Sequence, residues 1–126
     1  GTLTVSADEV IFGDYSRLEV QLNGPDSDLL NILAGTGGNT NAGNLDLSSA
    51  LNELFIDADL LGDANGDVYT LLSWEGSRVG EFDQVWLQDG GALIDQTTAG
   101  LMDFLIDGFE YDLVYGPNSL QLVGPN

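Results

Sequence analysis

The chain has no cysteine, no histidine and no lysine, and its only basic residues are Arg17 and Arg78. Without Cys and His, a disulfide framework, a thiolate nucleophile, a histidine base and a Cys/His zinc site are excluded. The 21 acidic residues give a formal net charge of -19. This charge excludes a general nucleic-acid binder, because nothing here displaces counterions from a phosphate backbone, and it argues against docking on anionic lipid.

Long apolar runs are also missing, since no stretch approaches the roughly 20 apolar residues of a membrane-spanning helix. Hydrophobic residues still make up 43% of the 126 residues, which is enough for one packed domain, and the length is too short for two ordinary ones. We therefore predict a single β domain over residues 1–126. An Asp-rich surface without lysine needs counterions to weaken its self-repulsion. A salty or calcium-containing extracellular or cell-surface location is predicted.

The dominant spacing of the apolar residues is two, which is the period of a half-buried strand. It is clearest at residues 17–22, 111–115 and 119–122, and turn signals rich in Gly, Asn, Asp and Pro separate such runs. The pattern predicts an all-β fold of about nine or ten strands, either a jelly-roll-like β-sandwich or a short β-solenoid. Single turns of helix are predicted only at residues 48–53 and 97–104. The predicted core consists of Leu18, Val20, Leu22, Leu30, Ile32, Leu54, Ile56, Leu71, Val85, Leu113, Leu120 and Leu122.

Three segments together resemble a known kind of module. They are LEVQLNGPDSDLL at residues 18–30, GDVYTLLSWEGSRVGEFDQV at residues 66–85 and YDLVYGPNSLQLV at residues 111–123. In this order they are similar to the closing module of secreted bacterial β-solenoid proteins, the autotransporter-associated β-strand repeat and passenger-like proteins. The resemblance implies an exported β-solenoid or solenoid-capping sandwich with a structural or adhesive role. It implies no catalytic residues.

The densest acidic cluster consists of Asp57, Asp59, Asp63, Asn65 and Asp67. Calcium takes six to eight oxygen ligands from carboxylates and carbonyls on a flexible turn, and this segment supplies such oxygens. An EF-hand loop is not predicted, because Val68 and Trp74 stand where that loop needs its glycine and its bidentate acid. Two interpretations stay open: a calcium site of another kind, or carboxylates on the solvent face of a strand and the following turn. No cofactor is otherwise required.

Two further groups of residues have a functional and a structural interpretation. The aromatic residues suit a sugar-stacking surface, but they also pack readily across strands; they are Tyr15, Tyr69, Trp74, Trp86, Tyr111 and Tyr115. Glu53, Glu75, Glu81 and Glu110 lie near aromatics and are the candidates for a carboxylate-only glycosidase. Solvated surface acids are the simpler explanation of these four glutamates.

Arg17 and Arg78 are each expected to contact an acidic neighbour.

The sequence therefore predicts a non-enzymatic structural module, a building block of a cell-surface or filamentous assembly. Its partners are predicted to be copies of itself or adjacent modules of a longer chain, with a carbohydrate-binding or adhesive module using calcium as the alternative. The N-terminal run Thr2–Phe12 is rich in apolar residues and has charge only at Asp8 and Glu9. Such a run can add to the sheet of a neighbour or form an edge of its own sheet. The predicted assembly residues are Leu3, Val5, Val10, Ile11 and Phe12.

Overall fold

A computed structural model describes residues 2–23, 27–35, 42–58, 68–89, 92–97, 104–106 and 109–124. All regular structure in these residues is β-strand. The described residues contain no helix that is long and apolar enough to cross a bilayer. The all-β prediction is confirmed. The strands are β1 (Thr2–Ser6), β2 (Glu9–Ile11), β3 (Arg17–Gln21), β4 (Leu29–Leu33), β5 (Asn44–Leu47), β6 (Glu53–Asp57), β7 (Val68–Trp74), β8 (Arg78–Gly80), β9 (Gln84–Asp89), β10 (Ala92–Thr97), β11 (Phe104–Ile106), β12 (Phe109–Tyr115) and β13 (Ser119–Val123).

The strands form three sheets, and the chain visits them in the same order three times. Sheet A has the order β1-β4-β7-β13-β12-β11, sheet B the order β2-β5-β8, and sheet C the order β3-β6-β9-β10. The pairs among the first nine strands are all parallel. We call each passage through the three sheets a rung: rung 1 is β1–β3, rung 2 is β4–β6 and rung 3 is β7–β9. The pairs that involve β10 to β13 are antiparallel.

The core lies between the sheets and is built from stacked side chains at paired positions. Val20, Ile56 and Leu87 follow one another across sheet C and are all buried. The predicted core is confirmed for every residue except Leu18 and Leu30, which are only partly buried. Several other buried residues were not predicted from the sequence: Leu45, Leu47, Ala58, Tyr69, Leu72, Trp74, Phe82, Leu87 and Tyr111.

Polar side chains at the corners between sheets bond to the backbone of the next rung. Between sheets A and B, Asp8 Oδ1 accepts a hydrogen bond from the Ala42 N–H at 3.3 Å. One rung further on, Asn44 Oδ1 accepts one from the Ser77 N–H at 2.9 Å. Corners bend the chain away from regular sheet pairing, and these side chains satisfy backbone donors that would otherwise lack partners. The stacking of the rungs therefore depends on corner residues as well as on the core.

The corner between sheets B and C contains a repeated backbone conformation. Tyr15 has a φ of 62° and Leu51 has a φ of 57°, and the Tyr15 N–H donates to the carbonyl of Ala50 at 3.2 Å. Left-handed φ values are uncommon for residues other than glycine. Their presence at the same corner of rungs 1 and 2 shows that both rungs turn in the same way.

Some expectations about individual elements are wrong, and one falls mostly outside the described residues. Residues 48–53 form no helix: Leu51 has left-handed φ, and Glu53 already begins β6. The second expected helical turn lies mostly outside the described residues, between the end of β10 at Thr97 and the start of β11 at Phe104. The described residues alone contain more strands than the nine or ten predicted. The run Thr2–Phe12 is divided between β1 and β2, because the chain turns a corner at Ala7 and Asp8.

Candidate assembly site

One end of the stack of rungs consists of three strand edges. Strands β1, β2 and β3 are the outermost strands of sheets A, B and C on the same side, and none of them has an outer neighbour within the described residues. We call this the open end. A free strand edge presents unpaired N–H and C=O groups, which is the arrangement that accepts another strand.

The hydrogen bonds made by rung 1 show which backbone groups face outward. The N–H groups of Ala7, Phe12 and Leu22 donate to carbonyls of rung 2 at 2.8 to 3.0 Å. Because successive residues of a strand direct their backbone groups to opposite edges, the groups of Thr4 and Glu19 face outward. Among the described residues, Asp28 covers the end of β3: Asp28 Oδ2 accepts from the Gln21 N–H at 3.0 Å, and the Asp28 N–H donates to the Gln21 carbonyl at 2.8 Å.

The apolar core continues to the open end without a cover. Leu3, Leu30 and Leu72 occupy one line of paired positions across sheet A. Leu72 is 0% exposed, Leu30 is half-buried and Leu3 is 64% exposed. Burial falls along this line because each leucine is covered by the rung that lies outside it. The interior of the stack is thus accessible at rung 1.

A cavity of about 340 Å³ opens at this end between β1 and β3. Its wall is largely aliphatic, with Glu19 and Asp28 among its lining residues. An apolar wall that no side chain covers lacks dispersion contacts and is exposed to solvent, so a partner that covers it is favoured. The lining residues are Thr2, Leu3, Leu18, Glu19, Val20, Asp28, Leu29 and Leu30.

The opposite end of the stack is covered by antiparallel strands. Strand β13 pairs with β7, and β10 pairs with β9. The turn before β13 is anchored on rung 3, where Trp74 Nε1 donates to the carbonyl of Pro117 at 3.1 Å. The side-chain amide of Asn118 donates to the carbonyls of Trp74 and Gly76 at 2.8 and 3.1 Å. We call this the cap end. The role of Asn118 was not predicted from the sequence, because one asparagine in a Gly-Pro-Asn turn resembles any turn residue.

Tyr115 of β12 also fastens the cap to rung 3. Its hydroxyl oxygen accepts a hydrogen bond from the Phe82 N–H at 3.0 Å, and the Arg78 guanidinium lies 4.5 Å from the centre of its ring. Burial raises the pKa of the Tyr115 phenol to about 12, and the nearby Glu81 carboxylate adds to the rise. The phenol is therefore neutral wherever the protein is folded at moderate pH.

We predict that this pKa makes stability fall in strong alkali. An unfolded tyrosine loses its proton near pH 10, whereas folded Tyr115 keeps it up to about pH 12. The contribution is complete below pH 10 and is lost as pH rises toward 12, by about 2 to 3 kcal/mol in total. Urea unfolding at pH 9 to 12 measures the slope. The Tyr115→Phe variant should show a smaller slope, and equal slopes would contradict the assignment.

The predicted assembly residues lie on β1 and β2 of rung 1 or directly after them, and they differ in exposure. Leu3 is 64% exposed and Ile11 is 59% exposed. Val5, Val10 and Phe12 are partly buried, and the Phe12 ring meets the Phe82 ring edge to face at 5.6 Å. In this structure β1 and β2 pair with β4 and β5 of their own chain, which makes them edge strands.

Of the predicted calcium ligands, only Asp57 lies in the described part of the chain, at the end of β6. Asp59, Asp63, Asn65 and Asp67 lie outside it. Among the described residues, no three acidic side chains come together in a group that could hold a metal ion. Calcium binding by this segment stays a prediction.

Three of the six aromatic residues predicted to form a sugar-stacking surface are buried. Tyr69, Trp74 and Tyr111 are buried in the core, whereas Tyr15 is 76% exposed. Trp86 lies on the outer face of sheet C beside Phe55, and its indole Nε1 donates to Glu53 Oε1 at 3.2 Å. The aromatic residues therefore do not provide one continuous platform.

The glycosidase candidates have separate structural contacts. Glu53 bonds the Trp86 indole, and Glu75 Oε1 accepts from the Ala34 N–H at 3.2 Å. Glu81 lies 3.9 Å from Arg78, and the side chain of Glu110 is outside the described part. No acid–nucleophile pair is identified from these contacts.

Both arginines lie next to a carboxylate, as the sequence predicts. Arg17 Nε is 3.3 Å from Glu19 Oε1, and its guanidinium lies 4.2 Å from the centre of the Phe55 ring. Arg78 lies near Glu81 and also donates to the carbonyl of Gly80. Arg17 thus covers part of the outer face of sheet C, and Arg78 helps to hold the cap end.

The chain was also compared with known proteins: no protein-family model, no curated protein and no solved structure matches it.

Proposed function

We propose that this chain is a non-enzymatic structural module that closes one end of a β-solenoid, in an extracellular or cell-surface protein. The adjacent module adds its strands to the open end. The observation that supports this most directly is the difference between the two ends of the stack. Three parallel edges and an uncovered core lie at one end, and antiparallel strands cover two of the three sheets at the other.

The parallel pairing supports a solenoid more than a sandwich. Strands three apart in the chain pair in parallel on all three sheets, and this is how stacked repeats bury a continuous core. A sandwich of the jelly-roll kind is instead built from antiparallel strands. The resemblance to closing modules of secreted β-solenoid proteins agrees with this proposal.

Like charges make a second copy an unfavourable occupant of the open end. Glu9 and Glu19 are exposed on its edge strands, with Asp14 exposed at the corner between them. Two copies meeting end to end would bring these carboxylates together, and like charges in contact cost several kcal/mol in an interface. An adjacent module with fewer acids at this position avoids that repulsion.

Stacking of one copy's open end on another's cap end is also unfavourable. Beyond rung 3, sheet A continues for three strands, sheet C for one and sheet B for none within the described residues. This end is therefore stepped, whereas an incoming rung must meet three edges at one level. Filaments grow when a head-to-tail contact repeats, so the unlike ends favour a module that terminates a stack.

Carbohydrate binding stays the alternative prediction, and Tyr15 and Trp86 are its accessible aromatics.

A chain extended by one rung tests the proposal. A copy of residues 29–57 is joined through a copy of residues 22–28 to Thr2, so that rung 2 is duplicated in front of rung 1. The chain has no cysteine, so a Leu3→Cys substitution introduces a single thiol at the open end. We expect the thiol to react at least about tenfold more slowly with an aromatic disulfide reagent in the extended chain, because backbone pairing and packing shield it.

Two controls make the result specific. Val79 is 53% exposed on sheet B of rung 3, so a Val79→Cys thiol should react equally fast in both chains. In a second extended chain, the copies of Leu30 and Ile32 are replaced by Asp, which removes the inward apolar side chains; this chain should leave Leu3→Cys reactive. Unchanged Leu3→Cys reactivity in the first extended chain would overturn the proposal, as would a thiol already protected in the chain without an extension.

A further inference from the structure

The distribution of charge over the three sheets is uneven. Strands β1, β4, β7 and β13 are neighbours in sheet A, and their residues 2–6, 29–33, 68–74 and 119–123 include no Asp, Glu, Lys or Arg. Sheet B contains Glu9, Asp46 and Arg78, and sheet C contains Arg17, Glu19, Glu53 and Asp57 on its first strands. The outer side of these four strands of sheet A is therefore an uncharged surface on a protein of net charge -19. We call it the neutral face.

The neutral face combines aliphatic side chains with polar groups that are already paired. Ser73 Oγ donates to Asn31 Oδ1 at 2.7 Å, and Gln121 Nε2 donates to Thr70 Oγ1 at 3.1 Å. Val68 is 54% exposed at one end of β7. Covering paired polar groups costs less than covering unsatisfied ones. This surface is therefore less costly to remove from water than an acidic face.

We propose that the neutral face binds the neutral face of a second copy of this chain. Two molecules with this net charge repel each other, and the repulsion is smallest where no carboxylate lies between them. Contact through sheet A directs the acidic sheets B and C of both copies away from the interface. Because the same surface serves both partners, the contact closes as a dimer.

The size of the neutral face limits the strength of this dimer. Four strands about 4.8 Å apart, with about five residues at 3.3 Å each, cover roughly 300 Å². A stable interface buries about 800 Å² on each partner. Charged residues border the face: Asp112 lies on β12 beyond β13, Asp28 directly precedes β4 and Glu75 directly follows β7. The dimer should therefore be weak, concentration-dependent and stronger at high salt, which screens the remaining repulsion.

Analytical ultracentrifugation of the intact chain and matched variants tests this inference. Val68 on the neutral face and Val79 on sheet B are 54% and 53% exposed, so the same substitution can be made at equal exposure on two faces. Val68→Glu should raise the dissociation constant at least about tenfold, because it buries one carboxylate from each copy in an otherwise uncharged contact. Val79→Glu should change it less than about twofold, since Val79 lies on sheet B, away from the contact. Urea unfolding checks that both variants fold.

Three outcomes would overturn the inference. The first is an intact chain that stays monomeric at millimolar concentration in 0.5 M NaCl. The second is an equal effect of Val68→Glu and Val79→Glu. The third is dimerisation that Leu3→Glu abolishes and Val68→Glu leaves unchanged, because the contact would then lie at the open end. The rung-extension experiment does not depend on any of these outcomes, so the two proposals fail separately.

Discussion

Replacing Gly80 by alanine is expected to lower the free energy of unfolding by about 2 to 5 kcal/mol. Gly80 has a φ of +77°, and a Cβ added there would lie 2.6 Å from the carbonyl carbon of Leu47 and from the Ser48 nitrogen. The left-handed conformation costs a residue with a side chain about 1 to 2 kcal/mol, and overpacking adds about 1 to 3 kcal/mol. Both atoms belong to the backbone of rung 2, so they cannot move aside as a flexible side chain can.

Gly13→Ala is the matched control for this substitution. A Cβ at Gly13 meets nothing within 4 Å, and Gly→Ala at an unstrained position changes stability by less than about 1 kcal/mol, usually upward. Urea unfolding of both variants measures the difference. If Gly80→Ala is as stable as Gly13→Ala, rungs 2 and 3 are not in the close contact at this corner that the structure describes.

The second large effect is expected along the line of leucines that crosses sheet A. Leu72→Ala should cost about 2 to 5 kcal/mol, the range for truncation of a buried leucine, since Leu72 is 0% exposed. Leu30→Ala should cost less because Leu30 is half-buried. Leu3→Ala should cost less than about 1 kcal/mol, because Leu3 is 64% exposed. The chemistry of the substitution is the same at all three positions, so the series isolates the effect of burial.

Thermal and urea unfolding at low protein concentration give the three values. Three equal losses of stability would mean that rung 1 is covered in the isolated chain, which the open end does not allow. In the chain extended by one rung, Leu3→Ala should become as costly as Leu30→Ala is now, because an added rung covers Leu3 from outside. The series therefore reports on the open end without any reagent.

The unequal spacing between rungs explains why the sequence revealed no repeat. Leu3 pairs with Leu30, but Leu30 pairs with Leu72, so no fixed period connects equivalent positions. Residues 18–25 (LEVQLNGP) resemble residues 120–125 (LQLVGP) in sequence, but the two segments contain strands of different sheets, β3 in sheet C and β13 in sheet A. A repeat in structure survives loops of different length, whereas a repeat in sequence does not.

The helical turn expected at residues 48–53 shows what local patterns miss. Asp46 Oδ1 accepts hydrogen bonds from the Ser48 hydroxyl and from its N–H, at 2.5 and 2.8 Å, and these bonds lower the pKa of Asp46. Such side-chain bonds to a nearby backbone favour a turn over a helix. The same serine and aspartate also suit a helix start, so the choice depends on the neighbouring rungs.

Alternation and composition are enough to predict the fold class and to exclude several kinds of chemistry. Period-two patterns direct side chains to the two faces of a strand whatever its partners are, so the all-β class and most of the core were predictable. Leu18 and Leu30 are less buried than predicted because they line the cavity at the open end. The absence of Cys, His and Lys likewise excludes whole classes of chemistry without any reference to structure.

Which strand edges are paired and which are free depends on packing between distant parts of the chain. Alternation specifies the face of a strand and leaves its neighbours and their direction undetermined. The split of Thr2–Phe12 at Ala7 and Asp8, the parallel rungs and the antiparallel cap all depend on contacts between residues far apart in the chain. The open end and the neutral face are properties of that pairing, because each is formed by strands that are neighbours in space and distant in sequence.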